Sequence, residues 1–177
     1  VYHKDTGANE WFYLNETNAG NQGITAWNST NPTATHFTLG DSGINNRDSN
    51  THVAYLFADT PGLIKCGSVV GNEEFTVPFE IGWILFKPTG SGGWRIQDSV
   101  RGIGNYGDTD PYLEPNTNTA ENTTSYVGLV STDGVNYTYK IDWNVGEIIY
   151  VAIRKDASTP SETELTLADA TDLPNFE

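Results

Sequence analysis

Thr51-His-Val-Ala-Tyr-Leu-Phe-Ala-Asp59 and Glu147-Ile-Ile-Tyr-Val-Ala-Ile-Arg-Lys155 follow one pattern, an apolar run of strand-forming residues that ends in charge. Side chains alternate between the faces of a strand, so Val53, Tyr55 and Phe57 share one face while His52, Ala54 and Leu56 share the other. Both faces carry apolar groups, which predicts a central strand covered on each side, and residues 147–154 read the same way. The likeness extends backwards. Trp11-Phe-Tyr-Leu14 and Asn15-Glu-Thr-Asn-Ala19 precede the first run, as Trp94-Arg-Ile-Gln-Asp98, Pro111-Tyr-Leu113 and Asn116-Thr-Asn-Thr-Ala120 precede the second. The same order met twice is the mark of one supersecondary unit used twice. This reading divides the chain into a partial first β module over residues 1–60, a complete second module over 61–156, and a linker with the lead-in to a following domain over 157–177. It makes the chain a piece of something longer.

Helical periodicity is nearly absent, because Gly, Asn, Thr and Pro interrupt almost every window long enough to test. Alternating or β-branched and aromatic runs predict strands over residues 11–14, 35–39, 51–58, 64–70, 75–77, 81–87, 94–98, 126–130, 137–143 and 147–154. Turn-forming clusters such as Gly40-Asp-Ser-Gly43, Thr89-Gly-Ser-Gly-Gly93 and Thr132-Asp-Gly134 separate them. Short strands at this spacing predict an all-β, antiparallel two-sheet sandwich, jelly-roll-like by preference with an Ig-like arrangement as the alternative.

The 177 residues suffice to bury a core, and their formal net charge of −14 excludes phosphate-backbone binding, which needs clustered Lys and Arg. No apolar run reaches the ~18 residues of a membrane-spanning helix. The lone Cys66 lies in an apolar run and reads as a small buried hydrophobe.

Gly102-Ile-Gly-Asn-Tyr-Gly107 spells a dinucleotide fingerprint, but Asp108-Thr-Asp-Pro follows where a helix should begin, so it reads as a loop. His3, His36 and His52 stand apart without ligand spacing. No cofactor is expected. Oxygen-rich turns make Asp41 and Asp48 weak calcium candidates, set against the preference of Asp and Asn for turns in their own right. No nucleophile elbow and no Cys–His couple appear, and Glu73 and Glu74 are adjacent, so in a strand they face opposite ways. The chain therefore reads as a non-enzyme, with a carbohydrate-active hydrolase as an alternative. Tyr106 and Tyr112, flanked by Gly, Asp and Pro, are the surface aromatics best suited to stack on a sugar, with Asp108 and Asp110 beside them to bond its hydroxyls.

Phe79-Glu-Ile-Gly-Trp-Ile-Leu-Phe-Lys87, Trp94-Arg-Ile-Gln-Asp-Ser-Val-Arg-Gly102, Thr132-Asp-Gly134 and Ile149-Tyr-Val-Ala152 resemble the repeat of an uncharacterised β domain found in tail-fibre and other structural proteins of marine bacteriophages. Val1-Tyr-His-Lys-Asp-Thr-Gly-Ala8, together with the run from Thr51 through Pro61-Gly-Leu-Ile-Lys-Cys-Gly-Ser68, resembles the junction between successive copies. The resemblance implies a virion structural protein, in a tail fibre or appendage with a host-surface glycan adhesion role, or alternatively a capsid decoration or cement protein. Its implied partners are other virion subunits in a homo-oligomer, a trimer foremost, and a host glycan.

Overall fold

A computed structural model describes residues 1–43, 45–124 and 126–155, so the linker and lead-in expected over 157–177 lie outside the described residues. Among the described residues the chain is all β, with antiparallel pairing throughout its sheets. Two short strands, β1 (Glu10–Trp11) and β2 (Asn21–Gln22), pair with each other. The sandwich is built from β3 (Ile64–Val70), β4 (Glu74–Val77), β5 (Ile81–Pro88), β6 (Arg95–Asp98), β7 (Val127–Thr132), β8 (Tyr137–Ile141) and β9 (Glu147–Arg154). A four-stranded sheet in the order β3-β9-β5-β6 faces a three-stranded sheet in the order β4-β8-β7. Within the sandwich the first strand pairs with the last and the second with the penultimate, the nested closure that jelly-roll winding produces.

Alternation explains the core. Phe75 and Val77 of β4, Ile84 and Phe86 of β5, Tyr139 and Ile141 of β8, and Ile148, Tyr150 and Ala152 of β9 all turn into the space between the sheets. The Tyr139 hydroxyl accepts the Ile81 N–H at 2.9 Å, so even this buried polar atom is bonded. The intervening residues of β9 and β5 face outward and are covered as well. Ile149 packs with Phe12 and Trp94, and Leu85 borders that cluster. β9 is thus a central strand with both faces covered, as its two-sided apolar pattern predicts.

Residues 51–58, which share that pattern, form no strand. Val53 and Tyr55 are 79% and 83% exposed, and Leu56 is nearly as open. A strand needs unpaired edges on both sides to become central, and the slot between β3 and β5 is already filled by β9. The outer edge of β3 is met only by the end of the segment. Thr60 bridges Ile64 around a tight turn at Pro61 and Gly62, the latter at φ +70°, and the Asp59 carboxylate accepts the Cys66 N–H at 2.6 Å. Lys4 and Lys65 hold Asp59 there, at 2.8 and 3.6 Å. The strand expected over 35–39 is also absent, and that over 11–14 is reduced to β1.

Residues 1–60 therefore show no second sandwich among the described residues. Part of this segment, around His3 and Phe12–Tyr13, packs instead on the outer face of the four-stranded sheet. Phe12 is 1% exposed and sets its ring edge-on to Trp94 at 6.3 Å, the Trp94 indole donates to the Tyr13 carbonyl at 2.8 Å, and His3 Nε2 lies 3.3 Å from the Tyr150 carbonyl. Burying Phe12 alone contributes ~1.5–3 kcal/mol.

Under that cover sits Lys87, wholly buried, its ammonium donating to the Gly92 carbonyl at 2.6 Å and lying 5.8 Å from the Phe12 ring centroid. Burial, with Arg95 adding like charge, pulls its pKa from 10.5 to about 8. The unfolded chain then binds more protons than the folded one between those values, so stability rises with pH across that window. Burial pushes Tyr139 and Tyr150 up to about 12 from 10.0, which reverses the slope above that ordinary value as the unfolded tyrosines ionise first. Urea unfolding at pH 7 and pH 9.5 is expected to show a gain, at most about 2 kcal/mol from Lys87, most of which disappears in Lys87→Met. An equal gain in the variant would show that Lys87 is not its source.

Candidate functional site

The segment Gly102-Ile-Gly-Asn-Tyr-Gly107 leaves β6 and docks along β7 as a loop, with no helix after it. The Tyr106 N–H donates to the Leu129 carbonyl at 2.8 Å and the Leu129 N–H donates to the Gly104 carbonyl at 3.0 Å, a parallel bridge centred on Asn105. Gly128 makes this approach feasible, since a Cβ there would stand 2.5 Å from the Tyr106 Cα. Two aspartates then fix the loop from within. Asp108 Oδ2 accepts the Asn105 N–H at 2.9 Å, and Asp110 Oδ2 accepts the Gly104 N–H at 2.7 Å. Such Asx bonding, with Gly107 at φ +98°, holds Tyr106 out of the core at 41% exposure.

Beside that ring opens a shallow cleft of about 280 Å³, lined by Tyr106, Asp108, Thr123, Thr124, Tyr126 and Asp142 among others. Its walls come from three places in the chain: the pinned loop, the approach to β7, and the residue after β8. Lys140 on β8 sets its ammonium 4.9 Å from the Tyr106 ring centroid.

Behind Tyr126 lies a packed cation. The Arg95 guanidinium carbon is 3.7 Å from the Trp143 ring centroid, 4.4 Å from that of Tyr126 and 5.3 Å from that of Tyr112. Glu114 stands 3.4 Å from its Nη2. The stack stiffens the cleft wall, because Tyr126 cannot swing without breaking contact with Arg95, with Tyr112 at 4.9 Å and with Trp143 at 5.1 Å.

The four site residues expected from the sequence divide evenly. Tyr106 and Asp108 line the cleft, whereas Asp110 and Tyr112 are each only 6% exposed. Asp110 is a loop strut. Tyr112 belongs to the Arg95 stack, not to the surface, because Leu113 exchanges backbone hydrogen bonds with Ile96, both at 2.9 Å, and so brings this segment in beside β6. Its Pro and Asp neighbours signalled a turn, and the turn is there, but its aromatic side chain faces inward. Thr123, Thr124, Lys140 and Asp142 carried no local signal at all, since only the pairing of β7 with β8 brings them to one place.

Asp41 and Asp48 are both exposed. In their loop the Asn45 amide donates to the Ala26 carbonyl at 2.9 Å and the Asn46 amide to the Gly40 carbonyl at 3.0 Å. Those amides tie the loop to residues 26–40. Among the described residues no three His, Cys, Asp or Glu side chains stand close enough to hold a metal ion.

Fold and cleft together define a β-sandwich with a shallow polar groove on a fixed loop. More specifically, the chain belongs to the family described as Domain of unknown function (DUF7483), whose model matches residues 1–154. No curated protein and no solved structure matches it significantly.

Proposed function

We propose that this chain is a structural domain of a bacteriophage virion, part of a tail fibre or appendage, that presents the Tyr106 cleft to a host-surface glycan. The observation that carries the reading is the cleft itself, an exposed aromatic ring held rigid on a sandwich and flanked by hydroxyl and carboxylate side chains. A rigid frame with adaptable loops suits recognition. The phage kinship rests on the sequence resemblance alone. Single-site affinity in so open a groove is weak, so repeated copies on a homo-oligomer, a trimer foremost, supply avidity. The particle is its place of residence.

Asp108 and Asp142 line one groove, as a hydrolase would also require. Both are exposed, however, and a general acid needs a desolvated carboxyl. Binding without turnover is the reading kept.

A decoration or cement role draws support from a different feature. Residues 51–58 contain no Asp, Glu, Lys or Arg in a chain of net charge −14, and they expose Val53, Tyr55, Leu56 and Phe57. Such a strip suits contact with neighbouring subunits. In the duplicated-module reading it is the last strand of a preceding copy.

Gold-labelled antibodies against the domain, imaged on intact particles, separate these roles. Label confined to fibres is expected. Label spread over the shell would replace adhesion with decoration, and the absence of label from purified particles would remove the virion assignment.

A further inference from the structure

We propose that the Tyr106 cleft is a subsite for one uncharged pyranose ring and discriminates against anionic sugars, an inference that rests on the adhesive reading above. The size sets the first limit. Ligand pockets usually enclose ~300–1,000 Å³, and a groove of about 280 Å³ holds a single ring, not an oligosaccharide along its length.

Charge sets the second. Asp108 and Asp142 are the acidic side chains lining the groove, which holds no Lys, Arg or His. A uronate, sialate or phosphate placed among them would meet like charge at close range, in a chain whose net charge of −14 adds to the repulsion. The positive group nearest the ring, Lys140, is not part of the lining and is already engaged with Tyr106 at 4.9 Å.

What remains is a ring that is apolar on one face and ringed with hydroxyls. Tyr106 offers a stacking surface, 41% exposed and fixed by the Asp108 and Asp110 backbone bonds, so little is lost in ordering it on binding. Asp142 offers acceptor oxygens for sugar hydroxyls, Asp108 keeps Oδ1 beyond its bond to Asn105, and Thr109, Thr123 and Thr124 can donate or accept. Together these groups match a hydroxylated, uncharged ring better than an anionic one.

Saturation-transfer NMR on the full chain tests this with methyl glucoside, methyl galactoside, methyl mannoside and methyl glucuronide. At least one uncharged glycoside is expected to bind saturably with a Kd on the order of 1 mM. Tyr106→Ala is expected to weaken it at least tenfold with an unchanged melting temperature, since the side chain is outside the core. The glucuronide should bind at least tenfold more weakly. Saturable binding of the glucuronide as tight as that of the uncharged rings would overturn the inference, as would no binding of any uncharged glycoside. Fluorescent wild-type protein on host cells keeps the two levels apart. Cell binding that persists without glycoside binding removes only this subsite, whereas loss of both removes the adhesive reading as well.

Discussion

Arg95→Ala is expected to lower the free energy of unfolding by about 3–5 kcal/mol. The guanidinium carbon is 3.7 Å from the Trp143 ring centroid and close to Tyr126 and Tyr112, so its removal opens a hole between three aromatic rings. It also leaves Glu114, whose side chain is only 20% exposed, without its cation. Several terms of ~0.5–2 kcal/mol each therefore vanish together. Arg95→Lys keeps the charge but not the planar stack, and about half of the loss should remain. Urea unfolding followed by tryptophan fluorescence measures both, with Trp143 in contact as reporter. A loss under about 1 kcal/mol for the alanine variant would mean that the rings hold their places without the cation, and that the stack is a consequence of packing.

Gly128→Ala is the second large effect, and it joins stability to the cleft. The added methyl would stand 2.5 Å from the Tyr106 Cα and 2.8 Å from its amide nitrogen, both backbone atoms that can yield only if the loop moves. Overpacking of this kind costs about 1–3 kcal/mol. The larger consequence is local. If the loop lifts from β7, the Tyr106-to-Leu129 and Leu129-to-Gly104 bonds lengthen and the amides of Tyr106 and Leu129 lose protection. Hydrogen exchange with mass spectrometry should show that loss together with weakened sugar binding. Gly90→Ala is the control, since nothing lies within 4 Å of a Cβ there, and its stability should change by less than about 0.5 kcal/mol. Unaltered exchange at Tyr106 and Leu129 in Gly128→Ala would show that the loop is not held by this close approach.

The spans from residue 64 to 154 were legible almost residue for residue. Residues 64–70 and 147–154 coincide with β3 and β9, and 81–87 falls one residue short of β5. These runs alternate strongly and are bounded by Gly, Asn and Asp turns, so local preference and tertiary pairing agree. Residues 51–58 are just as strand-like, and there the inference failed, because propensity describes a chain's willingness to pair and not the presence of a partner. Residues 21–22 carry no such pattern yet pair with β1, where position along the folded chain outweighs composition.

The candidate site divides along the same line. Tyr106 and Asp108 are exposed as expected because a Gly-rich, Asp-rich turn is a local feature that keeps its side chains outside whatever the rest of the chain does. Tyr112 was misplaced because its orientation depends on Leu113 pairing with Ile96, a contact that the turn residues around it do not encode.

Strand alternation, turn chemistry and an acidic surface, all properties of short windows, were enough to establish from the chain alone an all-β sandwich with its central strand at 147–154. Which of two similar runs entered the sheet, which of two tyrosines faced solvent, and which threonines and aspartates share a groove were decided only on folding. Each depends on an edge or a cavity formed by residues distant in sequence, and only one segment can occupy it.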